Sequence, residues 1–333
     1  MQLFEHKYFT NLIQPTGNFI YIYTSVMAHL CLFGLSGSGK TCFIYAMSQV
    51  LGDKGVCSND MTFTLKANDI KQQVLLNNGY MTLLDDKWPQ PTSAPTIYDY
   101  CLRLQYQGRI MEILPNLVVQ DYRGGLLDFG TDNDVAEYKK MIKSFSESVA
   151  IVYVIDGNTL LAALEPEEKD VIHNNRNIDL KESIYAKQQI SIVENLFVDF
   201  KRSHNNVPPI LVAISKDDVL TTKELEAGKK MIKRVVPSIF GHGSNTISAI
   251  THFSLGVDLE KGIQSRRLRL NTERNLHVPV LFGAYAEFCQ QYEVAPSDGV
   301  RNVLSDMMCE MRNIFRGRLD IFIDGERAIE VGK

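Results

Sequence analysis

Apolar residues along this chain fall in short continuous runs separated by stretches of helical spacing. Residues 28–33 (Ala-His-Leu-Cys-Leu-Phe) form a run suited to a strand buried on both faces. Residues 40–51 follow with apolar side chains at helical spacing (Phe43, Ile44, Met47, Val50, Leu51) and reach Gly52, a plausible helix stop. The same alternation continues. Strands are predicted at 61–65, 98–106, 117–121, 149–155, 210–214 and 247–253, with Gly108 marking a turn. Helices are predicted at 70–84 (broken near Gly79), 184–200, 223–235 and 278–292. Repeated strand–helix alternation predicts an α/β fold with a doubly wound, mostly parallel sheet.

The two ends depart from this rhythm. Residues 19–26 are strand-like, yet no turn residue separates them from the strand at 28–33. They read as an appended edge strand or as a leader outside the folded unit, and Met27 is a candidate translation start. At the other end, Val300, Val303, Leu304, Met307, Met308, Met311, Ile314 and Phe315 make an amphipathic helix that stops at Gly317. A hairpin turning at Asp324-Gly325 follows it. The expected organisation is a leader over 1–26, one domain over 27–294, and a helix–hairpin appendage over 295–333.

Composition narrows the class. The 333 residues carry 35 Lys plus Arg against 39 Asp plus Glu, a net charge of −4, which argues against coating nucleic acid by bulk charge. Six cysteines at unpaired spacings predict neither a disulfide framework nor a zinc site, and fit a reducing compartment. No stretch has the length of a membrane span; the nearest, 19–35, contains His29 and runs into a glycine-rich loop. With no export-like N-terminus, the cytoplasm is the expected location.

Three motifs carry chemistry. Gly34-Leu-Ser-Gly-Ser-Gly-Lys-Thr41 fits G-x-x-x-x-G-K-[ST] between a strand and a helix. In that pattern Gly34, Ser36, Gly37, Ser38 and Gly39 would turn backbone N–H groups onto phosphate oxygens. Lys40 would reach the β- and γ-phosphates, and Thr41 would ligate Mg²⁺ beside the positive end of the helix. Asp121-Tyr-Arg-Gly124 closes the strand at 117–121; its carboxylate suits Mg²⁺ and the Gly124 N–H suits a γ-phosphate. Ser215-Lys-Asp-Asp218 follows the strand at 210–214, where a carboxylate can accept from N1–H and the N2 amino group of guanine.

Taken together these resemble a Ras-like GTPase of the translation-factor-related P-loop class, over about residues 28 to 293. The resemblance implies GTP/GDP and Mg²⁺ as ligands, a protein effector as partner, and a switch that relaxes on hydrolysis. It implies that Lys216 covers the base and Asp218 reads guanine. Ser254-Leu255 would offer backbone N–H to the guanine oxygen. Ser215 replaces the usual Asn, which puts a bond bracing the phosphate loop in question. The switch threonine that senses γ-phosphate and metal is assigned to Thr96, which abuts the strand at 98–106; Thr92, in Trp88-Pro-Gln-Pro-Thr92, is the rival. The long segment between Thr41 and Thr96 is similar to the bacterial double-GTPase-like group.

One departure concerns catalysis. Gly125 stands where Ras-like enzymes commonly carry a water-positioning Gln, so slow hydrolysis is expected. Arg123 reads as a solvated loop arginine. The arginines at 266, 267, 269 and 274 read as a solvated loop, and His242 and His252 have no acidic companion nearby in sequence. A P-loop ATPase and a nucleotide-holding scaffold are the alternative readings.

Overall fold

The computed structural model describes residues 8–13, 19–24, 27–53, 55–85, 87–90, 94–106, 108–124, 132–170, 180–204, 206–244, 246–255, 257–258, 267–268, 274–295 and 297–328. Strands β1 (Tyr8–Ile13) and β2 (Phe19–Thr24) pair antiparallel in a sheet of their own, so residues 19–24 do not extend an edge of the main sheet.

The main sheet begins with β3 (Ala28–Gly34), followed by α1 (Lys40–Asp53), β4 (Val56–Ser58), β5 (Met61–Ala67) and α2 (Ile70–Leu84). Next come β6 (Thr96–Tyr106), β7 (Arg109–Asp121), α3 (Asp132–Ser146), β8 (Ala150–Asp156), α4 (Gly157–Ala163) and α5 (Leu180–Ser203). The chain continues through β9 (Ile210–Ser215), α6 (Thr222–Val235), α7 (Pro237–Phe240) and β10 (Ile247–His252). A small pair, β11 (Val257–Asp258) and β12 (Arg267–Leu268), precedes α8 (Val278–Glu293), α9 (Asp298–Phe315), β13 (Leu319–Ile323) and β14 (Glu326–Arg327).

Ten strands form one sheet in the order β14-β13-β10-β9-β8-β3-β7-β6-β5-β4. The five central strands, β10 to β7, are mutually parallel. The flanks are antiparallel, which corrects the expectation of a mostly parallel sheet to a mixed one. The cause is local. β6 and β7 are joined by a tight turn at Gly108 (φ +75°), and a short connection can only pair strands antiparallel. At the opposite edge Asp324 (φ +51°) and Gly325 (φ +79°) give the left-handed turn that suits a two-residue hairpin.

Two cores explain why the central strands are almost wholly apolar. Leu30, Leu32, Val152, Val154, Leu211 and Ala213 face one side, against α1, α8 and α9. Their alternates Phe33, Ile151, Tyr153, Val212 and Ile214 face the other, against α3 to α7. The period of two sorts each strand between both layers. Helix α9 contributes Leu304, Met307, Met311 and Phe315 to the first core, and β13 pairs with β10, so the helix packs against the sheet and the hairpin extends its edge.

The break expected at Gly79 is absent, and α2 runs unbroken. A Cβ at Gly79 would stand 2.5 Å from the Tyr45 ring, so this glycine lets α1 and α2 approach closely. Among the described residues no helix is long and apolar enough to cross a membrane.

Candidate functional site

The five parallel strands all point the same way, and their carboxyl ends deliver Gly34, Asp121, Asp156, Ser215 and His252 to one rim of the sheet. In the sheet β3 lies between β7 and β8, with β4 to β7 on one side and β8 to β10 on the other, so the strand order reverses at β3. A crevice opens at such a reversal, which is where ligands bind in open α/β sheets.

The glycine-rich loop after β3 is shaped by backbone demands. Gly37 (φ +76°) and Gly39 (φ +83°) occupy the left-handed region, and a Cβ on Gly34 would lie 2.4 Å from the Val154 carbonyl oxygen. Helix α1 starts at Lys40, so its first N–H groups open toward the loop. Lys40, only 6% exposed, folds inward: Nζ donates to Gly34 O at 2.9 Å, Leu35 O at 3.0 Å and Ser38 Oγ at 3.3 Å. Burial pushes its pKa down to about 8, opposed by the charge of Asp121.

Thr41 donates from Oγ1 to Asp121 Oδ2 at 2.9 Å. Asp121 is fully buried, and its Oδ1 has no hydrogen-bond partner among the described residues. Burial raises its pKa to about 6, against the pull of Lys40 and the bond from Thr41. A buried carboxylate with an orphaned oxygen, beside a hydroxyl, fits a hard divalent cation that takes oxygen ligands and keeps several waters. Tyr122 and Arg123 lead on to Gly124, three residues after Asp121, where a Cβ would lie 2.2 Å from Ser36 N and Cα. The Asp121–Gly124 loop therefore packs directly onto the glycine-rich loop.

Ser215 Oγ lies 2.8 Å from Ser38 O and 3.2 Å from Ile155 O. The brace that replacing Asn put in question is thus made by the serine hydroxyl. Lys216 sits in the left-handed region (φ +52°), donates to Gly37 O at 3.0 Å, and pairs with Asp156. Asp156 also caps α4 by accepting from Asn158 N at 2.8 Å. Asp217 binds His252 Nδ1 through Oδ2 at 2.6 Å, so His252 does have an acidic companion, brought from the neighbouring strand end.

A cavity of about 420 Å³ joins these parts, a size usual for small-molecule sites. Ser36, Gly37, Gly39, Lys40, Thr41 and Gly124 line one end. Ser215, Lys216, Asp218, Ser254 and Leu255 line the other, with Phe253 and Val219 as apolar wall. Trp88, Pro89 and Gln90 close one side. Thr96 stands opposite Asp121 in the β6–β7 ladder, but lines a separate groove with Asp69, Gln72 and Tyr98. Its rival Thr92 lies outside the described residues, as do Gly125 and Arg266 and Arg269 of the arginine run.

Arg123 is not a solvated loop arginine. Its Nε pairs with Glu137 Oε2 at 2.7 Å, both side chains being largely buried, which ties this loop to α3. Sequence reasoning also missed Asp156, although an acidic residue ending an apolar strand and followed by glycine was its available signal. No protein-family model matches the chain, and no curated protein is similar enough in sequence to give it a family.

Proposed function

We propose that this protein is a guanine-nucleotide switch of the P-loop GTPase type, which binds Mg·GTP and hydrolyses it slowly to GDP. One observation supports the reading above the rest. The glycine-rich loop, the Thr41–Asp121 couple and the Ser215–Asp218 loop meet around one cavity at the point where the strand order reverses.

In this reading Lys40 turns from the loop carbonyls to the β- and γ-phosphate oxygens, and the loop N–H groups complete the cradle. Mg²⁺ would be held by Thr41 and Asp121, and supplies charge neutralisation at the phosphate oxygens. Gly124 offers its N–H to the γ-phosphate, and Thr96 approaches from the start of β6 in the GTP-bound state. Lys216 lays its stem along the base, Asp218 accepts from N1–H and N2, and the backbone at Ser254 and Leu255 meets the guanine oxygen. Gly125 has no side chain to orient water, and Arg123 is engaged with Glu137. Hydrolysis is therefore slow and waits on a group from a partner protein. The GTP-dependent position of the Trp88–Gln90 segment, which walls the cavity, is the natural signal to such an effector.

Asp218→Asn tests the base assignment. The amide keeps one acceptor and turns its N–H toward the C2 position, where xanthine has a carbonyl and guanine an amino group. GTP affinity should fall about a thousandfold and XTP affinity should rise, measured by calorimetry. Unchanged GTP affinity removes Asp218 from the base site.

The lowered Lys40 pKa gives a pH signature. Phosphate contact needs the ammonium, so Mg·GTP affinity should fall about tenfold per pH unit above pH 8. Lys40→Arg, weaker throughout but charged at every accessible pH, should show no such limb. The same limb in both proteins assigns the titration to another group.

A further inference from the structure

A second cavity, of about 660 Å³, lies between α6, the end of α9 and β13. It shares no residue with the nucleotide cavity. Among the described residues that line it, seven are Lys or Arg and two are acidic, on a chain whose net charge is −4.

The two carboxylates are already committed. Lys229 sits between Glu226 at 2.9 Å and Asp320 at 3.1 Å, and Asp320 also pairs with Arg327. Four of the other cations have neutral partners. Lys233 lies over the Phe322 ring, 5.1 Å from its centre. Arg312 donates to Tyr285 OH at 2.9 Å, Arg316 to Asn313 Oδ1 at 3.3 Å, and Arg318 to Ile314 O at 3.3 Å. Aromatic faces, amides and carbonyls hold a cation in position without cancelling its charge. The cavity is thus a set of oriented donors whose positive charge is left over, which is the electrostatic form of a preorganised anion site.

We propose that this cavity binds a compact oligoanion carrying several phosphate groups. Arginine forks and lysine ammoniums are the usual donors for phosphate, and the apolar floor of Ile250, Phe315 and Phe322 strengthens their field by excluding water. The size matches a small molecule. An extended polyanion such as RNA would have to lie over a surface of net negative charge, which disfavours it. This site does not depend on the nucleotide reading.

Inorganic tripolyphosphate is the probe, titrated calorimetrically into the full chain. The double variant Lys230→Glu, Arg316→Glu changes two exposed cations that line this cavity. It should weaken tripolyphosphate binding about a hundredfold while leaving the melting temperature and GTP affinity unchanged. Lys40→Ala, at the other cavity, should retain a tripolyphosphate binding event of undiminished affinity. The reverse pattern, loss with Lys40→Ala and retention in the double variant, overturns the proposal. So does binding of a short single-stranded RNA or of phosphatidylglycerol vesicles in preference to tripolyphosphate.

Discussion

Replacing Lys40 with alanine should lower Mg·GTP affinity about a thousandfold without unfolding the protein. The ammonium is the one charge inside the glycine-rich loop, held by Gly34 O, Leu35 O and Ser38 Oγ. Breaking a buried charge pair by removing one partner costs about 4 kcal/mol, and in the proposed complex the partner is the polyphosphate. The ligand-free protein loses much less. Burial lowers the Lys40 pKa to about 8, so at neutral pH the charged form is held against a desolvation cost that alanine removes. Thermal melting separates the two effects. The apo midpoint should move little, and the rise produced by Mg·GTP should vanish. A retained nucleotide-dependent rise would place the phosphates elsewhere.

Gly124→Ala should damage stability and chemistry together. Its Cβ would stand 2.2 Å from Ser36 N and Cα, and main chain cannot swing aside as a side-chain tip can. Either the Asp121–Gly124 loop retreats or the glycine-rich loop deforms. Overpacking of this kind costs about 1–3 kcal/mol. Asp121 lies three residues before the clash and holds Thr41 at 2.9 Å, so the retreat opens the Thr41–Asp121 couple. Misplacement on the ångström scale costs about a hundredfold in rate, which single-turnover hydrolysis of GTP would read. Full activity with normal stability would mean the two loops do not stay packed in the working state.

Much of the fold was legible where the pattern was local. The β3–loop–α1 unit, the buried strands β8 and β9, and the Asp324-Gly325 turn each declare themselves within a few residues. The antiparallel flanks did not. Pairing direction is set by connection length and partner choice, and in β7 the segment before Leu117 is interrupted by Pro115 and carries Glu112, so its strand character is faint. Side-chain partners far apart in sequence were equally hidden. Ser215 reaches Ser38, Asp217 reaches His252, and Arg123 reaches Glu137 only once the strand ends are aligned. The cationic cavity is hidden for the same reason: its lysines lie on α6 and its arginines follow from residue 312 onward.

The switch reading stands or falls on which base the cavity between Lys216 and Ser254 accepts. The most direct measurement is competition against a fluorescent GTP analogue in the presence of Mg²⁺, with GTP and ATP titrated in parallel. The guanine assignment predicts that GTP displaces the analogue at concentrations at least about a thousandfold below those needed of ATP, because adenine leaves Asp218 without a donor pair. Equal displacement by ATP would contradict it.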